Sequence, residues 1–286
     1  MTEGSSSLGC GFERVGIVGL GLIGGSLARG LKTLNAPPHL AGFSLDAADG
    51  RLALQSGAID ELAADSTEAA SGRDLVIYAT PLGVTLDLLR EHSPVWGEAA
   101  ITDVASLMAP VMNTMKELSE ASRYVGSHPM AGGEGSGFEA SSDGLFREAR
   151  VWLVRGEGAT RAATGVEGLW RALAATPLWI DAVDHDQRMT WVSHLPQLVA
   201  NGLAATLGAA GYTPTDLGPG GDGMTRLAAS SPDMWSDLLE SSAPQLAGAL
   251  KNVGVELDHM AAALESGDLS TIAALMARTK EWKEQG

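Results

Sequence analysis

Residues 15–26 read Val-Gly-Ile-Val-Gly-Leu-Gly-Leu-Ile-Gly-Gly-Ser, an apolar run set directly against Gly19, Gly21 and Gly24 in the G-x-G-x-x-G spacing. The order is that of a strand over residues 15–18, a tight turn, and a helix over residues 22–31. The first glycine lets the chain turn off the strand, the second lets backbone approach a pyrophosphate, and the third lets the helix pack on the strand. The phosphates of a dinucleotide would then lie on the helix's unpaired N–H groups and its positive dipole end. Gly19, Gly21, Leu22, Ile23 and Gly24 are therefore the first candidate cofactor-binding residues.

Working outward, a chain of 286 residues suits two domains, one for a cofactor and one for a substrate. The net charge of −16 gives no dense positive face, so neither nucleic acid nor an anionic membrane surface is an expected partner. The start of the chain has no basic region followed by an apolar stretch, and nothing later reaches the ~18 apolar residues of a membrane span. A cytoplasmic protein is expected. Cys10 is the only cysteine, which excludes an internal disulfide and a cysteine-based metal site. No His/Asp/Glu set has metal-ligand spacing.

Further strands are expected at residues 40–43, 74–79, 99–104, 124–127, 151–154 and 178–180, alternating with helical stretches, one of them over residues 50–56. That alternation predicts an α/β fold of Rossmann type, a doubly wound, mainly parallel sheet over residues 12–181 preceded by a flexible tail over residues 1–11. Residues 182–286 read as an all-helical substrate and dimerisation domain. A helix is expected over 184–209, kinked by Pro196 with carbonyls left unpaired near His194. A glycine-rich break follows at 217–223, then helices from about 224, 232, 244 and 270. Pro232 and Pro244 stand where a first helical turn tolerates proline, and Gly267 reads as a stop.

His128, in Gly126-Ser127-His128-Pro129-Met130-Ala131-Gly132, follows a predicted strand and so falls at a strand's carboxyl end, where open α/β sheets bind ligands. A neutral histidine there can take a proton from a substrate hydroxyl while hydride leaves the same carbon. Ser106, in Thr102-Asp103-Val104-Ala105-Ser106, reaches the same edge and can bridge substrate and cofactor; a serine after a strand also serves as a helix cap. Thr80 and Pro81 end another strand at that edge. His194 stands in the long helix just past the domain boundary, as a cleft residue or a core one. Arg226, one of only 19 basic residues, can fork onto a substrate carboxylate, and Glu134 can pair with it as a gate when substrate is absent. Trp235 reads as helix packing or as the wall of a substrate pocket. His39, His92 and His259 read as solvated or structural, and His185, between Asp184 and Asp186, as helix-cap chemistry.

Taken together and in order, these motifs resemble the prephenate and arogenate dehydrogenase family, which makes the tyrosine precursor by oxidative decarboxylation. The resemblance runs from Val15 to Trp235 through the glycine loop, Thr102-Asp103-x-x-Ser106, the Gly126 to Gly132 motif, Ser193-His194-Leu195-Pro196, and Thr225-Arg226 with Pro232-Asp233-Met234-Trp235. It implies that His128 accepts the proton of the C4 hydroxyl, that Ser106 hydrogen-bonds that hydroxyl and orients His128, and that Arg226 holds a substrate carboxylate. It also implies that His194 lines the pocket, that Glu134 gates it, and that the helical half forms an intertwined homodimer.

Three positions depart from the family's pattern. Gln197 stands where a second histidine often binds the side-chain end of the substrate, so prephenate and arogenate both remain candidate substrates. Gly133 stands where many members have threonine. Ser44 stands at the end of the second strand, where NAD enzymes carry the acid that binds ribose; Asp46 is close enough to replace it, and Leu45 is not the arginine that would hold a 2′-phosphate. NAD is the expected cofactor, with NADP open. The competing readings are a dehydrogenase of similar build acting on a 3-hydroxy acid, for which the helical half offers only Lys251, Lys280 and Lys283, and a non-catalytic NAD(P)-binding redox sensor. No regulatory domain is expected after the helical half, and feedback by tyrosine is then expected to act at the active site.

Overall fold

The computed structural model describes residues 11–133, 135–230 and 232–285, with the backbone alone at 233, 234 and 237. In chain order its regular elements are β1 (Arg14–Val18), α1 (Leu22–Lys32), β2 (His39–Phe43), α2 (Ala47–Gln55), β3 (Glu61–Leu62), α3 (Ser66–Ala70), β4 (Leu75–Tyr78), α4 (Leu82–His92), β5 (Ala100–Asp103), α5 (Ala109–Glu117), β6 (Tyr124–Pro129), β7 (Arg150–Arg155), α6 (Thr160–Ala172) and β8 (Thr176–Trp179). The helical remainder is α7 (Ala182–Met189), a π-helical turn (Thr190–His194), α8 (Leu195–Ala209), α9 (Pro219–Thr225), a 3₁₀ turn (Arg226–Ala229), α10 (Pro232–Ser266) and α11 (Leu269–Glu284).

The strands form one eight-stranded sheet in the order β3-β2-β1-β4-β5-β6-β7-β8. All pairs are parallel except β6 with β7. Strand order reverses between β1 and β4, the switch point at which doubly wound sheets open a crevice. Register aligns the strand ends: Val18 pairs with both Phe43 and Tyr78, Tyr78 with Asp103, and Asp103 with Gly126. The segments that follow these strands therefore leave one common edge. The central strands are buried end to end, as in β4 (Leu-Val-Ile-Tyr) and β5 (Ala-Ile-Thr-Asp), because helices cover both faces. Val15, Ile17, Leu27, Leu40, Ile77, Val125, Leu153 and Trp170 lie in one apolar core.

The chain divides into two compact units. One comprises Met1–Met189 with Ser230–Ser241; the other comprises Thr190–Ala229 with Ser242–Gly286. The doubly wound, mainly parallel expectation holds, with four corrections of detail. The two-residue strand β3 was too short to read. The expected 184–209 helix is interrupted by the π turn directly before Pro196, because proline has no N–H to give and its ring collides with the carbonyl four residues back, which a wider turn relieves. The glycine-rich break at 217–223 is instead largely helix α9, with Pro219 in its first turn. No helix begins at 244: α10 runs for 35 residues through Pro244. Gly267, at φ +73°, ends it as expected.

Candidate active site

The three glycines of the first loop differ in what surrounds them. Gly19 has φ +101°, and a Cβ there would lie 2.4 Å from the Ala79 carbonyl oxygen. At Gly24 a Cβ would lie 1.9 Å from the Gly19 carbonyl oxygen, so only glycine lets α1 rest on the loop that launches it. Gly21, by contrast, has nothing within 4 Å of a Cβ. It is the N-cap of α1, contributes no side-chain cap, and the first turn carries no acid. Open space before uncapped N–H groups is what a pyrophosphate requires, so the residues fit a dinucleotide.

The rest of the cofactor edge is built from the next strand ends. Thr80 Oγ1 lies 2.7 Å from Thr85 Oγ1, and Pro81 is the N-cap of α4. After β2, Ser44 is half-buried and Leu45 is 95% exposed. Asp46 is the N-cap of α2, its Oδ1 accepting from the Ala48 N–H at 2.7 Å. Gly133 lies beside the start of α1, the nearest atom to a Cβ there being Leu22 Cδ2 at 3.9 Å. Glu134, the expected gate, lies outside the described residues, as do Cys10 and most of the expected tail.

His128 is carried near the end of β6, and the buried residues beneath it hold that strand in place. Trp170 Nε1–H donates to Ser127 Oγ at 3.0 Å, Ser127 and Thr102 hydroxyls lie 2.9 Å apart, and Thr102 Oγ1 donates to the Val125 carbonyl at 2.6 Å. Since Thr102 spends its proton on that carbonyl, it accepts from Ser127, and the chain of donors is complete. Gly126 is required there: a Cβ would lie 2.7 Å from the Tyr124 hydroxyl and 2.8 Å from Met108 Sδ.

Asp103, a residue to which sequence reasoning assigned no role, shapes the turn leading to Ser106. Its Oδ1 accepts from the Ala105 N–H at 2.8 Å and its Oδ2 from the Tyr124 hydroxyl at 2.6 Å. Burial, aided by nearby Asp186, pushes this carboxyl up to about 7 against the pull of those two donors. The Tyr124 phenol is raised well above its ordinary value, first by burial and then by Asp103. Ser106 follows β5 by three residues and His128 follows the β5-paired part of β6 by two, so both occupy the carboxyl edge.

The largest correction concerns His185. It is not helix-cap chemistry but a fully buried side chain whose Nε2 lies 2.9 Å from His128 Nδ1 and whose Nδ1 lies 2.7 Å from Asp186 Oδ1. Asp186 also accepts from the Met108 and Ala109 N–H groups at 2.8 and 2.9 Å, at the N-terminus of α5 where the dipole favours an anion. No signal in the sequence joined residues 57 positions apart.

Trp235, half-buried, belongs to the first unit. Within the second unit, His194 is buried at the end of the π turn. Gln197 is also buried; its Nε2 donates to the Leu227 carbonyl at 2.7 Å and to Asn201 Oδ1 at 3.1 Å. It thereby ties α8 to the 3₁₀ turn that begins at the exposed Arg226.

The chain is similar to known proteins along most of its length. The family model described as prephenate dehydrogenase, nucleotide-binding domain, matches residues 27–176, and that described as prephenate dehydrogenase, dimerization domain, matches residues 181–278. Prephenate dehydrogenase of Bacillus subtilis is 29% identical over 94% of this chain and 74% of its own length. Cyclohexadienyl dehydrogenase of Zymomonas mobilis is 28% identical over 90% of each. The crystal structure of Aquifex aeolicus prephenate dehydrogenase with hydroxyphenyl propionate and NAD+ superposes with a TM-score of 0.86 at 25% identity, covering 96% of this chain and 98% of that one.

Proposed function

The chain belongs to the prephenate dehydrogenase family, and on that premise we propose that it oxidises and decarboxylates prephenate to 4-hydroxyphenylpyruvate in tyrosine biosynthesis. It is an NAD(P)-dependent oxidoreductase, and NAD is the cofactor that the glycine loop serves. When bound, NAD supplies the acceptor for the hydride from C4. The observation that carries the reading is His128 at the carboxyl end of β6, on the same sheet edge as the loop of Gly19, Gly21 and Gly24. His128 takes the proton of the C4 hydroxyl as hydride leaves that carbon. The ring carboxylate departs as carbon dioxide, and its electron pair completes the aromatic ring. Ser106 hydrogen-bonds the same hydroxyl, and Arg226 forks onto a substrate carboxylate; His194, Gln197, Gly133, Trp235 and Glu134 are the further candidates for substrate binding. The protein's work is positioning and proton acceptance.

Arogenate is the second reading, and Gln197 is the observation that favours keeping it. Prephenate and arogenate differ only at the side-chain end, and here a neutral amide, already engaged with Leu227 and Asn201, stands in place of a histidine. NADP is the corresponding alternative at Ser44, which itself carries no carboxylate, while the nearby acid Asp46 caps α2. Membership of a dehydrogenase family argues against the redox-sensor reading. The active form is a homodimer built through the helical unit, and the protein works in the cytoplasm; no described helix is long and apolar enough to cross a membrane.

The test is absorbance at 340 nm with purified protein, offering prephenate and arogenate separately with NAD and with NADP. Turnover with prephenate and NAD is the expected result, and His128→Asn lowers kcat by roughly 10²–10⁴, the usual share of a general base, with NAD affinity unchanged. No turnover with any of the four pairs, in protein that binds NAD, refutes the proposal.

A further inference from the structure

His185 and Asp186 lie behind His128 and determine which of its nitrogens is basic. Asp186 is held by two backbone N–H groups at the start of α5, and as a carboxylate it can only accept hydrogen bonds. The 2.7 Å contact between Asp186 Oδ1 and His185 Nδ1 therefore places a hydrogen on His185 Nδ1. In a neutral imidazole the other nitrogen then carries the lone pair, so His185 Nε2 accepts. The hydrogen in the 2.9 Å contact must come from His128 Nδ1. That leaves the lone pair of neutral His128 on Nε2. The two rings meet nearly edge to face, with centroids 5.1 Å apart and planes at 73°, and His185 is fully buried in α7, so the arrangement is held by packing as well as by hydrogen bonds.

We propose that His185 and Asp186 are positioning residues that hold His128 in its Nδ1–H tautomer, so that Nε2 is the base presented to the substrate hydroxyl. This rests on the proposed role of His128. The proton balance is simple. The hydroxyl proton moves to His128 Nε2; the resulting imidazolium keeps its Nδ1–H, now a charge-assisted donor to His185 Nε2; and the Asp186 carboxylate opposes the new charge from the far side of His185. No proton has to travel along the relay during the step, and His128 returns the one it gained to solvent before the next turnover. A histidine pair that merely filled the core would need no particular tautomer.

Two measurements decide the matter. The first is the ¹⁵N NMR of imidazole-labelled protein under conditions where the histidines are neutral. His128 and His185 are both expected as Nδ1–H tautomers, and an Nε2–H signal from His128 overturns the proposal without reference to activity. The second is steady-state kinetics of Asp186→Asn, His185→Gln and His185→Leu. The amide of Asp186→Asn cannot serve all three donors that the carboxylate serves, since its NH2 must face the Met108 or the Ala109 N–H, and it carries no charge to oppose the His128 imidazolium. A fall in kcat of at least about a hundredfold is expected, with the KM for NAD and the dienol within a few-fold.

His185→Gln offers an oxygen near the lost Nε2 and is expected to keep the His128 tautomer and most of kcat, whereas His185→Leu keeps neither. Equal activity in His185→Gln and His185→Leu, or a folded Asp186→Asn enzyme within twofold of the parent, counts against the relay. If Asp186→Asn fails to fold because α5 has lost its anion, the parent's tautomers and the His185 pair still decide. An active His128→Asn enzyme would instead remove the base assignment, leaving the relay to be judged on the tautomers alone.

Discussion

At the scale of single residues, the buried acid of the site makes a prediction about stability. Burial raises the Asp103 carboxyl to about 7 from an ordinary value of 3.8. The folded state thus holds that proton more tightly than the unfolded chain does. The contribution to stability is complete below 3.8 and is lost as pH rises through 7, because the unfolded chain then ionises freely while the folded one must bury a charge. Asp103→Asn keeps an acceptor for the Ala105 N–H and can donate to the Tyr124 oxygen, but it does not titrate. Relative to Asp103→Asn, the parent's Tm is therefore expected to fall by several degrees between pH 5 and pH 8 in differential scanning fluorimetry; parallel curves refute this. Residues of this kind mark the limit of what the sequence discloses. His128 was legible because glycine, histidine and proline after a strand have a local meaning. Asp103 and His185 were not, since their roles depend on partners 21 and 57 positions away.

At the scale of elements, the glycine loop was legible because each of its glycines answers to a local constraint, and the constraints differ. A methyl group at Gly24 meets the Gly19 carbonyl at 1.9 Å, whereas at Gly21 it meets open space. Gly24→Ala must push α1 off β1 and is expected to cost about 1–3 kcal/mol or more of stability, read as a lower urea midpoint. Gly21→Ala should leave that midpoint unchanged and weaken NAD binding at least tenfold, a loss of ~1.4 kcal/mol, read by calorimetric titration. Equal effects of the two substitutions on stability would refute the distinction. Gly133→Thr has room beside Leu22 and is expected to leave Tm within a degree or two. The strands were read from apolar runs, which the double-sided burial of a parallel sheet produces. The helical half was harder, because proline has two opposite meanings there: Pro232 begins α10, while Pro244 lies inside it. Local sequence does not distinguish them, since packing of the flanking turns decides whether a helix survives the lost hydrogen bond.

At the scale of the whole molecule, the second unit carries exposed apolar side chains at helical spacing. Leu250, Val253, Leu257, Met260 and Leu264 succeed one another at intervals of three and four residues along α10, the spacing of a helix–helix seam. Leu257 is 55% exposed and Leu264 59%. No residue of α11 is buried, although a helix of 16 residues is marginal in water without a packed face, and Trp282 on it is 72% exposed. Residues 242–266 of α10 lie in the second unit, run for about 38 Å, and are mostly exposed. A second copy of the chain accounts for all three features, in keeping with the dimerization-domain model that matches residues 181–278. Light scattering is expected to give about twice the 29.5 kDa chain mass, with a Tm that rises with protein concentration, as linkage to association requires. Leu257→Glu combined with Leu264→Glu places two charges in the seam and is expected to yield monomer of lower Tm and reduced helical ellipticity. The doubly wound unit keeps its own core, so NAD binding should survive in that variant. Parent protein that is monomeric at micromolar concentration would show instead that the seam closes within one chain.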